Sequence, residues 1–323
     1  MTASSFALEE RDASQIKLFC DLAKMNGAAL TVEEIVALVA LPASKEELER
    51  AWNNNPILST NYELQSGVVV ERNRGGARFV TDWRVFREID RRDRAKGYLK
   101  SAVGFSALCR GRYSRLVAVS GSASYRSVSR TDDLDFFCVT QKDSLWIFLT
   151  RTLILARLYR RFHKDSPKYC FSCNMDESFA LESFATSESP LFGRDALNAV
   201  LLYGNDCYQS LLARGAWMRN YYPRLYESKF ESGGERPATA REGPSAGERV
   251  LNLFLYYTVG SYIKLKSALL NRRFLREGRG DSLFTVRSGP DHCMYESQKY
   301  TYLEKSYSNL EEKNTLEIAG NRS

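Results

Sequence analysis

Histidine is scarce in this sequence, in which only His163 and His292 occur among 323 residues. The two lie far apart along the chain, so histidine-based catalysis has little support. A structural zinc site needs four ligands, and Cys170 and Cys173 form the only Cys-x-x-Cys spacing. Strict alternation along a strand would also place these two cysteines on opposite faces. The sequence therefore does not predict a zinc site.

Long apolar runs and a secretory leader are also lacking. Of two candidate runs, 145–159 is interrupted by Arg151 and Arg157, and 250–265 contains Lys264 and is shorter than the ~20 residues that a membrane span needs. The N-terminus reaches charged residues before any apolar region forms. Seven scattered cysteines, an odd number, indicate reduced thiols rather than a disulfide framework. These features predict a cytoplasmic protein without a membrane partner.

The charge of the chain is positive, with a formal net charge of +7. A positive charge favours an anionic partner, such as a nucleotide, a nucleic acid or an anionic surface, without choosing among them. A basic, solvated surface without a partner is an equally good explanation. The length predicts two or three domains, because one compact core rarely needs this many residues.

Residues 1–82 are predicted to form a winged-helix-like domain. Capping boxes at Thr31–Glu34 and Ser44–Glu47 open the second and third of three helices, and a hairpin turns at Ser66-Gly67. Winged helices often place the third helix in the major groove of DNA. Here that helix, over 45–50, carries three glutamates that would repel phosphates. We favour a structural or protein-docking role, and nucleic-acid binding stays open.

The rest of the chain is predicted to contain three further parts. A connecting helix over 83–110 begins with many basic residues, which form either a solvated face or a rim that attracts phosphate. Residues 111–190 alternate strand and helix, with strands at 115–120, 134–140 and 169–175. Residues 191–323 are predicted to form a helical region with a flexible segment at 228–247, rich in Gly and Pro. The fold class is α+β, with an α/β-type mixed sheet between the winged-helix-like domain and the C-terminal helical region.

The segment Val119-Ser120-Gly121-Ser122 runs from a predicted strand into a short helix. Glycine lets the backbone approach an anion closely, the helix start offers unpaired N–H groups, and the Ser122 hydroxyl can donate one more hydrogen bond. This combination suits a phosphate group. Because Gly-Ser occurs at many turns, the segment alone does not identify a phosphate site.

Two carboxylates follow at the start of the next predicted strand. Side chains alternate along a strand, so Asp133 and Asp135 point to one face while Leu134 and Phe136 point into the core. Two neighbouring carboxylates repel each other and are costly without a cation, and hard oxygen ligands suit Mg²⁺ or Mn²⁺. A solvated acidic turn explains Asp132 well. It explains Asp135 poorly, because Asp135 lies inside the hydrophobic run.

Gly121-Ser122, a ten-residue gap and Asp133-Leu134-Asp135-Phe136 together resemble the signature of the DNA polymerase beta-like nucleotidyltransferase superfamily. The motif covers residues 117–140. The wider layout also resembles uncharacterised prokaryotic nucleotidyltransferase-domain proteins. The resemblance implies a two-metal transfer of a nucleoside monophosphate from a triphosphate such as ATP to an acceptor hydroxyl. The acceptor stays open between a protein side chain, a small molecule and an RNA end.

The resemblance also implies roles for individual residues. Asp133 and Asp135 would hold the metal ions, and Gly121 and Ser122 would hold the β- and γ-phosphates. Superfamily members usually have a third catalytic carboxylate on a later strand, for which Asp176 is the first candidate here.

Glu177 is the other candidate for the third carboxylate, and both residues would equally suit the cap of a helix. Arg126 and Arg130 lie near the phosphate loop, as phosphate contacts in nucleotide binding or as plain surface charge. The alternative function is a non-catalytic regulatory protein that binds a nucleotide or a nucleic acid.

Overall fold

The computed structural model describes residues 8–25, 29–65, 67–72, 79–130, 132–163, 166–230, 243–298, 300–302 and 304–305. It shows a mixed α+β protein built around a six-stranded sheet, as the fold class predicts. No helix in the described ranges is long and apolar enough to cross a membrane.

The N-terminal segment consists of helices followed by a two-stranded hairpin. Both predicted capping boxes form: Thr31 Oγ1 accepts from the Glu34 amide at 3.1 Å, and Ser44 Oγ accepts from the Glu47 amide at 3.2 Å. Gly67, which lies in the turn of the hairpin, has a φ of +76°. A short helix before the hairpin was not predicted. The elements are α1 (Glu10–Met25), α2 (Val32–Val39), α3 (Lys45–Asn54), α4 (Pro56–Ser59), β1 (Tyr62–Gln65) and β2 (Val68–Glu71).

A 31-residue helix, α5 (Phe79–Cys109), connects this segment to the sheet. The first three strands of the sheet confirm the predicted alternation of strand and helix. The elements are β3 (Ser114–Ser120), α6 (Gly121–Ser124), β4 (Leu134–Thr140), α7 (Leu145–Phe162) and β5 (Tyr169–Asp176). β3 runs antiparallel to β4, whereas β4 and β5 are parallel.

The C-terminal part contains helices, as predicted, and also strands that were not predicted. It adds three strands and gives the sheet the order β6-β3-β4-β5-β8-β7. The elements are α8 (Glu177–Thr186), α9 (Pro190–Asn198), β6 (Val200–Tyr203), α10 (Asn205–Arg214), α11 (Met218–Tyr221), α12 (Pro223–Lys229), α13 (Ala246–Leu255), α14 (Ser261–Arg276), β7 (Phe284–Ser288) and β8 (His292–Ser297). A π-helical segment, Tyr256–Gly260, joins α13 to α14. Most of the predicted flexible segment, 231–242, lies outside the described residues.

The sheet buries apolar side chains on both faces. On the first face, Ala118, Phe137 and Met175 belong to a core that continues into α8–α12 and the N-terminal helices. On the second face, Phe136 and Trp146 belong to a core with α5, α7 and α14. Because side chains alternate along β4, Asp133 and Asp135 belong to the first face, in line with Phe137.

Candidate functional site

The loop that leaves β3 touches the second predicted carboxylate. Ser120, the last residue of β3, pairs with Asp135 of β4. Gly121 has a φ of +63°, and a Cβ atom placed on it would lie 2.6 Å from Asp135 Oδ2. Only glycine combines this backbone conformation with so close an approach. The structure therefore brings Gly121 and Asp135 together.

Asp135 is a partly buried carboxylate whose proton affinity is high. Burial raises the pKa of Asp135 to about 7, and the negative charge of Asp133 acts in the same direction. Hydrogen bonds from the Cys170 thiol and the Ser172 hydroxyl oppose this rise in pKa. A bound cation would stabilise the ionised form that burial disfavours.

Asp133, just before β4, is the more open member of the pair, with 43% of its side chain exposed. Burial raises the pKa of Asp133, whereas the charge of Lys168 lowers it. Lys168 Nζ lies 3.8 Å from Asp133 Oδ1. Because this ion pair is exposed, it is weak and leaves Asp133 accessible to another cation.

Sequence reasoning missed two residues of β5 that lie beside Asp135, namely Cys170 and Ser172. Cys170 pairs with Asp135, and Cys173 pairs with Phe137, so β5 has one extra residue in this interval. Because of this bulge, the two cysteines lie on the same face, and the prediction that they lie on opposite faces is wrong. Cys170 and Ser172 occupy the places beside Asp135 on the neighbouring strand.

Asp176, the predicted third carboxylate, lies at the other end of the strand pair. It pairs with Thr140, five residues beyond Asp135, a separation of roughly 17 Å along the strand. Its Oδ1 accepts from the Phe179 amide at 3.0 Å, and its Oδ2 accepts from the Asp143 amide at 3.2 Å. The helix-capping interpretation of Asp176 is confirmed, and the structure does not bring Asp176 to Asp135.

Glu177 is equally distant from the pair, because it follows Asp176 directly in the chain. Its carboxylate lies 3.4 Å from Arg115 Nε, near the start of β3. Asn174, on the same strand as Asp176, is fully buried and donates to the Phe171 and Cys293 carbonyls. Neither side chain reaches the Gly121–Asp135 contact.

The loop between α6 and Asp133 is anchored on α5. Arg94 Nη1 donates to the Val128 carbonyl at 2.7 Å, and the Tyr98 hydroxyl donates to the Asp132 carbonyl at 3.0 Å. The Asp132 carboxylate accepts from the Ser129 amide at 2.9 Å and so caps a turn. At least one of the basic residues at the start of the connecting helix thus positions the loop that leads to Asp133.

Arg126 and Arg130 lie in the same loop and are exposed to solvent. Arg126 has a φ of +54°, which places it at the sharp turn after α6. Ser122, whose carbonyl accepts from the Ser127 amide at 3.0 Å, is partly exposed beside them. This arrangement suits a phosphate contact as well as plain surface charge.

The carboxylates of Asp133 and Asp135 offer hard oxygen donors, which fit Mg²⁺ or Mn²⁺. The Cys170 thiol does not extend this set, because burial raises its pKa well above the usual value and keeps it protonated. Within the described ranges, no group of three or more His, Cys, Asp or Glu side chains is arranged to hold a metal ion. The site thus offers two protein ligands.

Comparison with known proteins adds no relative. No protein-family model matches the sequence, and neither a curated protein nor a solved structure matches the chain. The motif and its geometry are therefore the features from which a function can be inferred.

Proposed function

We propose that this chain is a cation-dependent nucleotidyltransferase, which moves a nucleoside monophosphate from a nucleoside triphosphate to an acceptor hydroxyl. The observation that carries the proposal is the contact between Gly121 and the Asp135 carboxylate. It brings the two halves of the sequence motif, separated by ten residues, to one point at the edge of the β3–β4 pair.

The residues around this contact supply what triphosphate binding requires. The Gly121 backbone and the Ser122 hydroxyl would hold the terminal phosphates, and Arg126 and Arg130 would add positive charge to the same loop. Asp133 and Asp135 would hold Mg²⁺ or Mn²⁺. When bound, the metal would neutralise phosphate charge and stabilise the attacking and leaving oxygens.

A second candidate function is nucleotide binding without transfer. The position of Asp176 favours it, since the first choice for a third carboxylate lies at the far end of β5 with both oxygens occupied by amides. Cys170 and Ser172 flank Asp135 instead, and neither provides a carboxylate. Such a protein would sense a nucleotide, and the N-terminal segment, proposed as a winged helix, would transmit the signal.

Binding and transfer can be tested in sequence on the full-length chain. Labelled ATP is titrated with and without Mg²⁺ against the wild type, the Asp133→Asn/Asp135→Asn variant and an Asp206→Asn control. Asp206 is an exposed carboxylate on α10, so its loss changes the net charge without touching the site. We expect Mg²⁺-dependent binding to disappear only in the double variant. Equal nucleotide binding by the double variant would contradict the metal assignment.

Transfer is then followed with labelled triphosphates, Mg²⁺ and a cell lysate. Label on a protein, an RNA or a metabolite with the wild type, and none with the double variant, supports nucleotidyl transfer and identifies the acceptor class. Mg²⁺-dependent binding without any transferred label supports the second candidate.

A further inference from the structure

Helices α13 and α14 form one long rod with a narrow buried side. Together with the π-helical segment between them they span residues 246–276, about 45 Å at 1.5 Å per residue. The buried positions are Asn252, Gly260, Ile263 and Ser267, of which two are polar and one has no side chain. Asn252 fixes the rod by accepting from the Trp146 amide at 2.7 Å. Most of the apolar surface of the rod is therefore not used in the core.

The outward side of this rod is apolar. Val250, Phe254, Tyr257, Leu265 and Leu269 are between 55% and 68% exposed. Their spacing of three, four or eight residues places them along one face of the helix, and we call these five residues the outer stripe. Single exposed apolar residues are common on proteins, but a continuous row marks an interaction surface.

Helix α7 extends the exposed apolar surface sideways. Ile154, Leu158 and Phe162 follow one another at intervals of four residues, and Phe162 is 78% exposed. Arg157 Nη2 lies 3.4 Å from the Tyr262 hydroxyl, so α7 and α14 are neighbours. The combined patch spans α7, α13 and α14 on the outside of the second face of the sheet.

The charges on two of the helices in this patch are all positive. Helix α7 contains four arginines, helix α14 contains five Lys and Arg residues, and neither helix contains Asp or Glu. The acidic residue of α13, Glu248, is paired with Arg112. A second copy of the chain would bring the same positive charges against each other, which disfavours a symmetric pair. The patch therefore matches a partner surface that carries negative charge and has an apolar layer beneath it.

We propose that this patch, the outer stripe together with the exposed side of α7, docks on an anionic phospholipid membrane. The rod lies in the plane of the interface, with Phe254, Tyr257 and Leu265 among the acyl chains and Lys264 and Lys266 near the lipid phosphates. This arrangement needs no spanning helix. The sequence-based expectation that a membrane is not a partner considered only spanning segments, and the proposal concerns binding at the membrane surface.

Vesicle co-sedimentation of the full-length chain tests the proposal. We expect binding to vesicles that contain phosphatidylglycerol, little binding to pure phosphatidylcholine, and weaker binding as salt is raised. Lys264→Gln/Lys266→Gln should lower partitioning by roughly fivefold for each charge removed. Phe254→Asp/Leu265→Asp should abolish binding, because it places charge in the apolar layer.

The control is Ala213→Asp, which adds a carboxylate at an exposed position of α10, a helix that packs on the first face. It should bind vesicles like the wild type, and circular dichroism should show that every variant is folded. Equal binding to neutral and anionic vesicles, or full binding by the Phe254→Asp/Leu265→Asp variant, would overturn the proposal. So would the absence of vesicle binding. In that case, light scattering that shows a dimer, dispersed by the same variant, would assign the patch to contact between two copies.

Discussion

Gly121 and Asp135 meet across the β3–β4 pair so closely that no side-chain atom fits between them. This contact fixes the distance between the loop backbone at Gly121 and the carboxylate of Asp135. A cation held by Asp135 and a phosphate held by the loop would then be direct neighbours.

Replacing Gly121 by alanine should disrupt the site. The new Cβ would lie 2.6 Å from Asp135 Oδ2, at a residue whose φ is +63°. We expect a loss of Mg²⁺-dependent nucleotide binding and a fall in the free energy of unfolding of about 1–3 kcal/mol, measured by urea denaturation. Gly278→Ala is the matched control, since Gly278 has a φ of +68° with nothing near its Cβ position. A similar loss of binding in the control would show that the contact with Asp135 is unimportant.

The stability of the metal-free protein should depend on pH through Asp135. Its pKa is about 7 in the folded chain, above the value of about 3.9 expected in the unfolded chain. Between these values the folded state holds a proton that the unfolded state has lost, so the free energy of unfolding falls as pH rises through this window. Asp135→Asn removes this effect. We expect the free energy of unfolding of the variant, relative to the wild type, to be higher above pH 7 than at pH 4 by more than about 1 kcal/mol.

This pH effect is measured by denaturation in EDTA at a series of pH values. Asp206→Asn, which removes an exposed carboxylate, should follow the wild-type curve. A constant difference between the wild type and Asp135→Asn at every pH would contradict the raised pKa.

Asp176→Asn should separate stability from function. Asp176 is 2% exposed, and its two oxygens accept amides from Phe179 and Asp143. The variant loses charge-assisted hydrogen bonds at a helix start, so we expect a fall of about 1–3 kcal/mol in the free energy of unfolding. Below its melting temperature it should bind Mg²⁺ and nucleotide like the wild type. A selective loss of nucleotide binding in a folded variant would restore Asp176 to the site.

The contact between Tyr98 and the Asp132 carbonyl should matter for binding more than for stability. Tyr98→Phe removes one hydrogen bond of 3.0 Å and should lower the free energy of unfolding by about 1 kcal/mol. Because the released loop leads directly to Asp133, the Kd for nucleotide with Mg²⁺ should rise severalfold in calorimetric titrations. Tyr113→Phe, which removes a hydroxyl bonded to Glu248, provides the comparison. Equal Kd values for the two variants would mean that the anchor on α5 does not position Asp133.

The local part of the site could be predicted from the sequence, and the structure has β3, the turn at Gly121 and β4 where the pattern indicates them. The position of a third carboxylate could not be predicted, because the direction of β5 decides which of its ends lies beside Asp135. β5 runs parallel to β4, so the neighbours of Asp135 lie at the beginning of β5 and not at its end, where Asp176 is. The bulge in β5 places Cys170 and Cys173 on the same face. It could not be predicted, because the alternation pattern of a strand does not reveal a bulge.

The strands of the C-terminal part were missed for a related reason. β6 has only four residues, and its pairing with β3 joins segments some eighty residues apart, in a sequence flanked by helical patterns. β7 and β8 form a hairpin around Gly289-Pro290-Asp291, within the part of the chain that was predicted to be helical. Short strands gain stability from their partners, and the identity of those partners is not encoded locally.

The order of strands in the sheet has a consequence for synthesis. The strands that bear the motif, β3 and β4, and their neighbour β5 are made early, yet β3 gains its outer partner only at residue 200 and β5 only at residue 292. Until then, both borders of the three-stranded unit present unpaired amides and carbonyls to whatever chain is nearby. A ribosome-bound intermediate or a fragment that ends near residue 190 would therefore be prone to aggregate, although it contains every residue of the motif.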